Sequence, residues 1–339
     1  MRQGRIKPLI AALLVPPVAW LSLTLYVRLR EYATAAELET HGATVWLGQL
    51  EGMQWILPVA RPARVRFEDV EADLPLAAKL HNVKTLEFWN VAIPDDQTPV
   101  LAEMRHLTAV LLFRVRVGDK FWSQLGGVQR MFSVTVMETP VDDAALTKLG
   151  GLKELAFLRL DGCDVTDEGL RHFVGLHNLL ELSLQGNPIN GAGLHPLKDL
   201  PRLQHLFLSG CQLNDRVFEL LGEWKSLGVV SVSGTPISDK ALENLSPSSR
   251  IAFLDVNHTS LSDKALEGVS RFEELYELNL CNSRVTDAGL KLLRRMPSLG
   301  SVNVTNTAVT AKGIEDLRAA KPGITIDAAL PCMPYSRFP

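Results

Sequence analysis

Residues 155–170 read LAFLRLDGCDVTDEGL, and their reading decides the fold because the chain repeats it. The apolar pair Leu158/Leu160 recurs as Leu86/Phe88, Val110/Leu112, Val134/Val136, Leu182/Leu184, Leu206/Leu208, Val230/Val232, Leu254/Val256, Leu278/Leu280 and Val302/Val304, each step being 24 residues. Ile324/Ile326 follows after a shorter step of 22. A period in the twenties implies stacked supersecondary units, none of which can bury its apolar face alone.

Apolar residues two apart make a short strand with one buried face, because side chains alternate along a strand. Three residues beyond each pair stands a small polar residue or a thiol: Thr139, Cys163, Asn187, Cys211, Thr235, Thr259, Ser283, Thr307. Such a side chain under a turn can satisfy backbone groups that would otherwise be buried without partners. Helix-capping types come next, at Asp142, Thr166, Asn190, Asn214, Ser238, Ser262, Thr286 and Thr310. Apolar residues four and seven places further on, such as Leu170 with Phe173 and Leu290 with Leu293, mark the inner face of a short helix.

With Cys, Asn or Thr at the turn, the T-D-x-G-L signature resembles the cysteine-containing subclass of leucine-rich repeats. VTDEGL (165–170) and VTDAGL (285–290) are its best copies, followed by ISDKAL (237–242) and LSDKAL (261–266). The resemblance covers about residues 80–330. It implies a right-handed α/β solenoid of about ten strand–turn–helix repeats, with a parallel sheet on the concave face and helices on the convex one. It also implies a protein-binding role without naming a partner.

The 339 residues are 46% hydrophobic with a net charge of −3, enough to bury a core and too balanced for a nucleic-acid binder. Cys163 and Cys211 lie two repeats apart, about 10 Å at strand spacing, beyond disulfide reach. With Cys281 and Cys332 they read as four free thiols.

Domain expectations follow from the flanks. Residues 1–7 read as a short cytoplasmic segment carrying Arg2, Arg5 and Lys7. Residues 8–27 hold no charge and at 1.5 Å per residue span about 30 Å, so they read as a transmembrane signal anchor with the repeats facing outward. A cleaved signal peptide with Ala33-x-Ala35 at its site is the alternative. Residues 28–79 form a junction and N-terminal cap: a helix over Glu31–Thr40, a break at Gly42, a strand over Ala43–Leu47, and a degenerate repeat at Val65-Arg66-Phe67. This arrangement resembles the entry region of bacterial membrane-anchored leucine-rich repeat proteins. Repeats fill 80–327, and 328–339 is a C-terminal cap or tail.

No G-x-S-x-G, H-E-x-x-H, Walker glycine loop or C-x-x-C occurs, so neither an enzyme nor a cofactor is expected. His172 and His177, five apart, miss the i,i+4 spacing of a helical metal pair. The recurring Asp143, Asp167, Asp215, Asp239, Asp263 and Asp287 suggest a calcium stack, but first-turn carboxylates are also stabilised by the helix dipole. Asn257-His258-Thr259 and Asn303-Val304-Thr305 match the glycosylation triplet inside repeat cores.

What remains is the outward sheet face. Trp89, Leu111, Phe113, Met137, Phe157 and Arg159, with His205 and Phe207 beyond them, fall on outward positions of neighbouring strands and form the candidate partner-binding residues. The partner expected is a protein, or alternatively a cell-wall glycan. A competing reading has residues 44–79 folding over this patch and burying it.

Overall fold

The computed structural model describes residues 30–31, 33–47, 63–80, 82–246 and 250–329. The expected membrane segment and Cys332 lie outside them. Among the described residues thirteen strands form one sheet in strict sequence order. After a helix, α1, over residues 33–40, Gly42 turns the chain at φ +85° into β1 (Thr44–Leu47), which pairs antiparallel with β2 (Ala63–Glu68). All later neighbours are parallel: β3 (Val83–Trp89), β4 (Ala109–Phe113), β5 (Ser133–Met137), β6 (Phe157–Asp161), β7 (Glu181–Ser183), β8 (His205–Phe207), β9 (Val229–Ser231), β10 (Phe253–Asp255), β11 (Glu277–Asn279), β12 (Ser301–Asn303) and β13 (Thr325–Asp327).

Register follows the period, with Leu158 opposite Leu182 and Leu206 opposite Val230. The degenerate repeat is real, since Val65 sits opposite Leu86 and Phe67 opposite Phe88, all fully buried. Phe67 stacks on Phe88 at 5.5 Å and Phe88 meets Phe121 edge-on at 6.5 Å, which fills the first repeats with aromatic volume.

The other side of each unit is helical, though not uniformly. α-Helices run over Leu74–Ala77, Asp119–Gly126, Asp143–Leu149, Val217–Glu223, Asp239–Asn244, Asp263–Val269, Asp287–Leu293 and Ala311–Ala320. The turns Thr98–Glu103, Gly169–Phe173 and Ala192–Asp199 are 3₁₀. Thr166 therefore does not cap an α-helix, and neither does Asn190. Glycines at 169, 191 and 193, with Pro196 inside the segment, deprive those two units of helix-forming residues and one N–H. Five of the expected caps stand, since Asp142, Ser238, Ser262, Thr286 and Thr310 each accept a first-turn N–H, but Asn214 does not cap Val217–Glu223: Arg216 is the N-cap there, and Asn214 accepts the Arg216 N–H in the turn before it.

The recurring aspartates do more than meet a helix dipole. All but Asp143, which pairs instead with Arg171 and His172, reach into the following repeat and hold its cap residue: Asp239 accepts the Ser262 N–H and hydroxyl at 2.7 and 2.6 Å, Asp263 those of Thr286 at 2.8 and 2.6 Å, and Asp287 those of Thr310 at 2.7 and 2.6 Å. Asp167 accepts three backbone N–H groups, from Asn190, Gly191 and Gly193. The carboxylates are thus latches between units.

The cysteines split, which corrects the four-thiol reading. Cys163 and Cys211 are free and buried, each donating its S–H to carbonyls under the turn. Burial pushes the Cys163 thiol up to about 12 and that of Cys211 to about 11. Cys281 is disulfide-bonded. Cysteine scarcity argued only against a disulfide scaffold and could not exclude a single bond.

Candidate binding surface

Parallel pairing brings outward residues 24 apart into rows. One row runs Trp89, Phe113, Met137, Asp161, and the next Glu87, Leu111, Thr135, Arg159. A third runs Ser133, Phe157, Glu181, His205. Trp89, Leu111, Phe113 and Met137 are therefore contiguous and half-buried, with the Trp89 and Phe113 rings 5.0 Å apart.

The described strands of the cap extend this patch along the sheet. The described part of residues 44–79 adds strands to the sheet edge, which places Trp46, Arg64 and Arg66 beside Trp89. The Arg66 guanidinium lies 5.3 Å from the Trp46 ring and 5.0 Å from the Trp89 ring, between the two indoles. Arg64 also lies over Trp46, at 5.5 Å. Both cations are held from below by Glu87, only 1% exposed: Arg66 Nε donates to its Oε2 at 2.8 Å, and Arg64 donates to its Oε1. A buried carboxylate with two guanidiniums is a rigid base, because each charge leaves water only with a partner in hand. At the far edge Arg114 lies 4.9 Å from the Phe113 ring. Trp46, Arg66, Trp89, Phe113 and Arg114 thus form an unbroken run of rings and cations, with Trp46 41% exposed. Trp89 Nε1 is buried with no hydrogen-bond partner.

The remaining expected residues divide. Arg159 is engaged by Glu181 at 3.3 Å and Asp161 at 3.7 Å, and Glu181 also meets His205 at 3.7 Å. Those contacts, His205 first, hold the Glu181 carboxyl below its ordinary value, whereas burial raises that of Asp161. Arg159 and His205 therefore belong to an ionic group beside the apolar patch. Phe157 packs on the half-exposed Phe132 at 5.3 Å, toward the strand entry. Phe207 is 6% exposed, so it is a floor residue and not an exposed anchor.

Sequence reasoning missed Trp46, Arg64, Arg66 and Glu87. A signal existed, since Arg64 and Arg66 alternate with the inward Val65 and Phe67. Metal chemistry has no set of groups here: no three His, Cys, Asp or Glu side chains converge among the described residues. His172 instead contacts Asp143 at 3.0 Å, which lowers the pKa of that carboxyl.

Residues 153–213 match the family model described as Leucine rich repeat. No curated protein matches the chain. Among solved structures, an internalin (inlF) from Listeria monocytogenes is similar with a TM-score of 0.55 at 16% identity, over 79% of this chain and 87% of that one. The plant peptide hormone receptor RGFR1, solved in complex with RGF2, aligns at a TM-score of 0.44 and 15% identity, over 75% of this chain and 44% of its own. Register, turn ladder and matched segment agree: the described repeats form a leucine-rich repeat solenoid.

Proposed function

We propose that this chain is a membrane-anchored, non-enzymatic recognition module that binds a protein through the N-terminal half of its outward sheet face. The run from Trp46 to Arg114 carries this reading. Rigid aromatic rings interleaved with arginines on a preformed sheet supply the anchors from which interfaces draw most of their energy. Trp89→Ala and Phe113→Ala should each weaken partner binding by about 1–2 kcal/mol while circular dichroism stays unchanged. Ser231→Ala, on β9, should leave affinity alone. If the two aromatic variants bind normally, the site lies elsewhere.

The same indoles favour a second reading, cell-wall glycan binding, since sugars stack on aromatic faces. A glycan array probed with wild type and Trp89→Ala separates the two. Anchoring rests on the uncharged residues 8–27, and the disulfide at Cys281 supports an oxidising, extracytoplasmic setting for the repeats. Fractionation should recover the chain in membranes with residues 1–27 retained; a soluble form beginning near Ala36 would overturn the anchor. Thiols under the turns at Cys163 and Cys211, together with the T-D-x-G-L copies, support the cysteine-containing subclass.

A further inference from the structure

Large apolar side chains left exposed gather on the rim where the parallel strands begin. Phe132, 49% exposed, immediately precedes β5, and Tyr276, 58% exposed, holds the same place before β11, six periods on. Val174, 41% exposed, opens the loop into β7. Phe132 is fixed by the Phe157 ring at 5.3 Å, and Tyr276 lies against Gly300, where a Cβ would collide with its ring. Both are thus held in place without being covered.

The rim is also charged, against the balance of the chain. The loops leading from the helical side into β4–β9 carry Arg105, Arg130, Lys153, Arg202 and Lys225, all exposed, with Glu154 as the one carboxylate. Their side-chain bonds run to carbonyl or amide oxygens, from Arg130 to Arg105, from Lys153 to Gly150 and from Arg202 to Asn178, so these charges stay unneutralised. The chain as a whole has a net charge of −3. Glu273 and Glu274 stand before Tyr276, so the cationic stretch is centred near Phe132.

The path of α1 leads to this rim. Gly42 packs on Val70, and His41 lies 3.4 Å from Asp73, both beyond the end of β2, so α1 meets β1 at the opposite rim. Thr34, Ala35 and Leu38 are buried along one face, which lays the helix lengthwise on the core. Helical residues 30–40 span about 16 Å, against about 20 Å for β2, and so carry Arg30 back toward the rim where β2 begins. The uncharged residues 8–27 end three positions before Arg30.

We propose that this rim is a membrane-docking surface, resting on an anionic phospholipid bilayer with Phe132 among the headgroups and the loop cations on the phosphates. The proposal builds on the membrane-anchored reading, in which residues 8–27 sit in that same bilayer. Aromatic rings settle at the membrane–water interface, cations are drawn to anionic lipid, and a tether keeps both close to it. The sheet then stands upright on the bilayer. Trp89 and Phe113 end their strands at the opposite rim, clear of lipid and open to a partner.

The test uses full-length protein with vesicles of phosphatidylcholine alone or of an equal mixture with phosphatidylglycerol. Flotation with phosphatidylcholine reads the anchor, and hydroxyl-radical footprinting reads the docking. Phe132 should be labelled several-fold less in the mixed vesicles than in phosphatidylcholine, while His258, exposed where β10 ends, should be labelled alike in both. Combining Arg105→Gln, Arg130→Gln and Lys153→Gln should restore Phe132 labelling, with circular dichroism confirming the fold. Equal labelling of Phe132 in the two vesicle types overturns the docking, as does protection that survives the triple substitution. If the chain does not float with phosphatidylcholine, the anchor fails and flotation with the mixed vesicles decides the rim. Salt-sensitive flotation lost in the triple variant sustains the docking surface without the anchor, and flotation with neither vesicle overturns both.

Discussion

Asn187 engages both ends of its amide with backbone. Its Oδ1 accepts the N–H groups of Cys163 and Val165, and its Nδ2 donates to the carbonyls of Leu160 and Leu184. Asn187→Leu matches its bulk and strands those groups, so denaturant titration should show a loss of about 1–3 kcal/mol. Three residues after the inward pair, threonine does a smaller version of this work, as Thr235 and Thr259 each donate to one carbonyl at 2.6 Å. A second ladder is conformational. Ten positions spaced 24 apart, from Asn90 to Asn306, all have φ between 48° and 71°, because the chain turns left-handed as it leaves each strand. Glycine fills four of them. Nothing lies within 4 Å of a Cβ added at Gly234 or Gly228, but only Gly234 has positive φ. Gly234→Ala should cost about 1 kcal/mol through backbone strain alone, while Gly228→Ala should be neutral or slightly stabilising. Equal melting temperatures for the two variants would show that this turn tolerates a side chain.

At the scale of the element, a helix is tied to its neighbour by the carboxylate of the preceding unit. Asp263 is the clearest case, holding both the N–H and the hydroxyl of Thr286 while its own helix is capped by Ser262. Asp263→Ala should lower stability by about 1–3 kcal/mol, the range for hydrogen bonds to charged groups. A double-mutant cycle with Thr286→Ala should show coupling, because both changes remove the same contact. Repeat stacks hold together through nearest-neighbour interfaces, so hydrogen exchange should quicken first in the units beyond the cut latch. Additive effects in the cycle would mean that the carboxylate acts through its own helix dipole alone.

For the whole molecule, stability against pH should turn on the two buried thiols. Their folded pKa values lie near 12 and 11, against 9.0 for the ordinary thiol. A raised pKa means that the folded state keeps the proton, so the stability this contributes is fully present below about pH 9 and is lost as pH climbs toward 11–12. Thermal melts should be flat from pH 7 to 8.5 and fall above 9, and Cys163→Ser should weaken that fall. The ends of the stack are protected differently. The antiparallel β1 closes the first edge, and Phe67 packed on Phe88 fills the first unit.

The repeat was legible because a strict period of 24 with alternating apolar residues admits one burial pattern, and that pattern sets strand register without reference to anything distant. Turn residues and caps were legible for the same reason, being local chemistry repeated. The aspartate latches were not, since a carboxylate looks the same from the sequence whether it meets its own helix or reaches 23 residues onward to the next cap. Trp89, Leu111, Phe113 and Met137 could be placed side by side by counting, but counting could not show that Arg66 slots between Trp46 and Trp89, that Glu181 engages Arg159, or that Phe207 is buried. Those outcomes depend on pairing at an irregular edge and on competition among side chains within a few ångströms. The bond at Cys281 is of the same kind, since a thiol reads alike in sequence whether free or bonded.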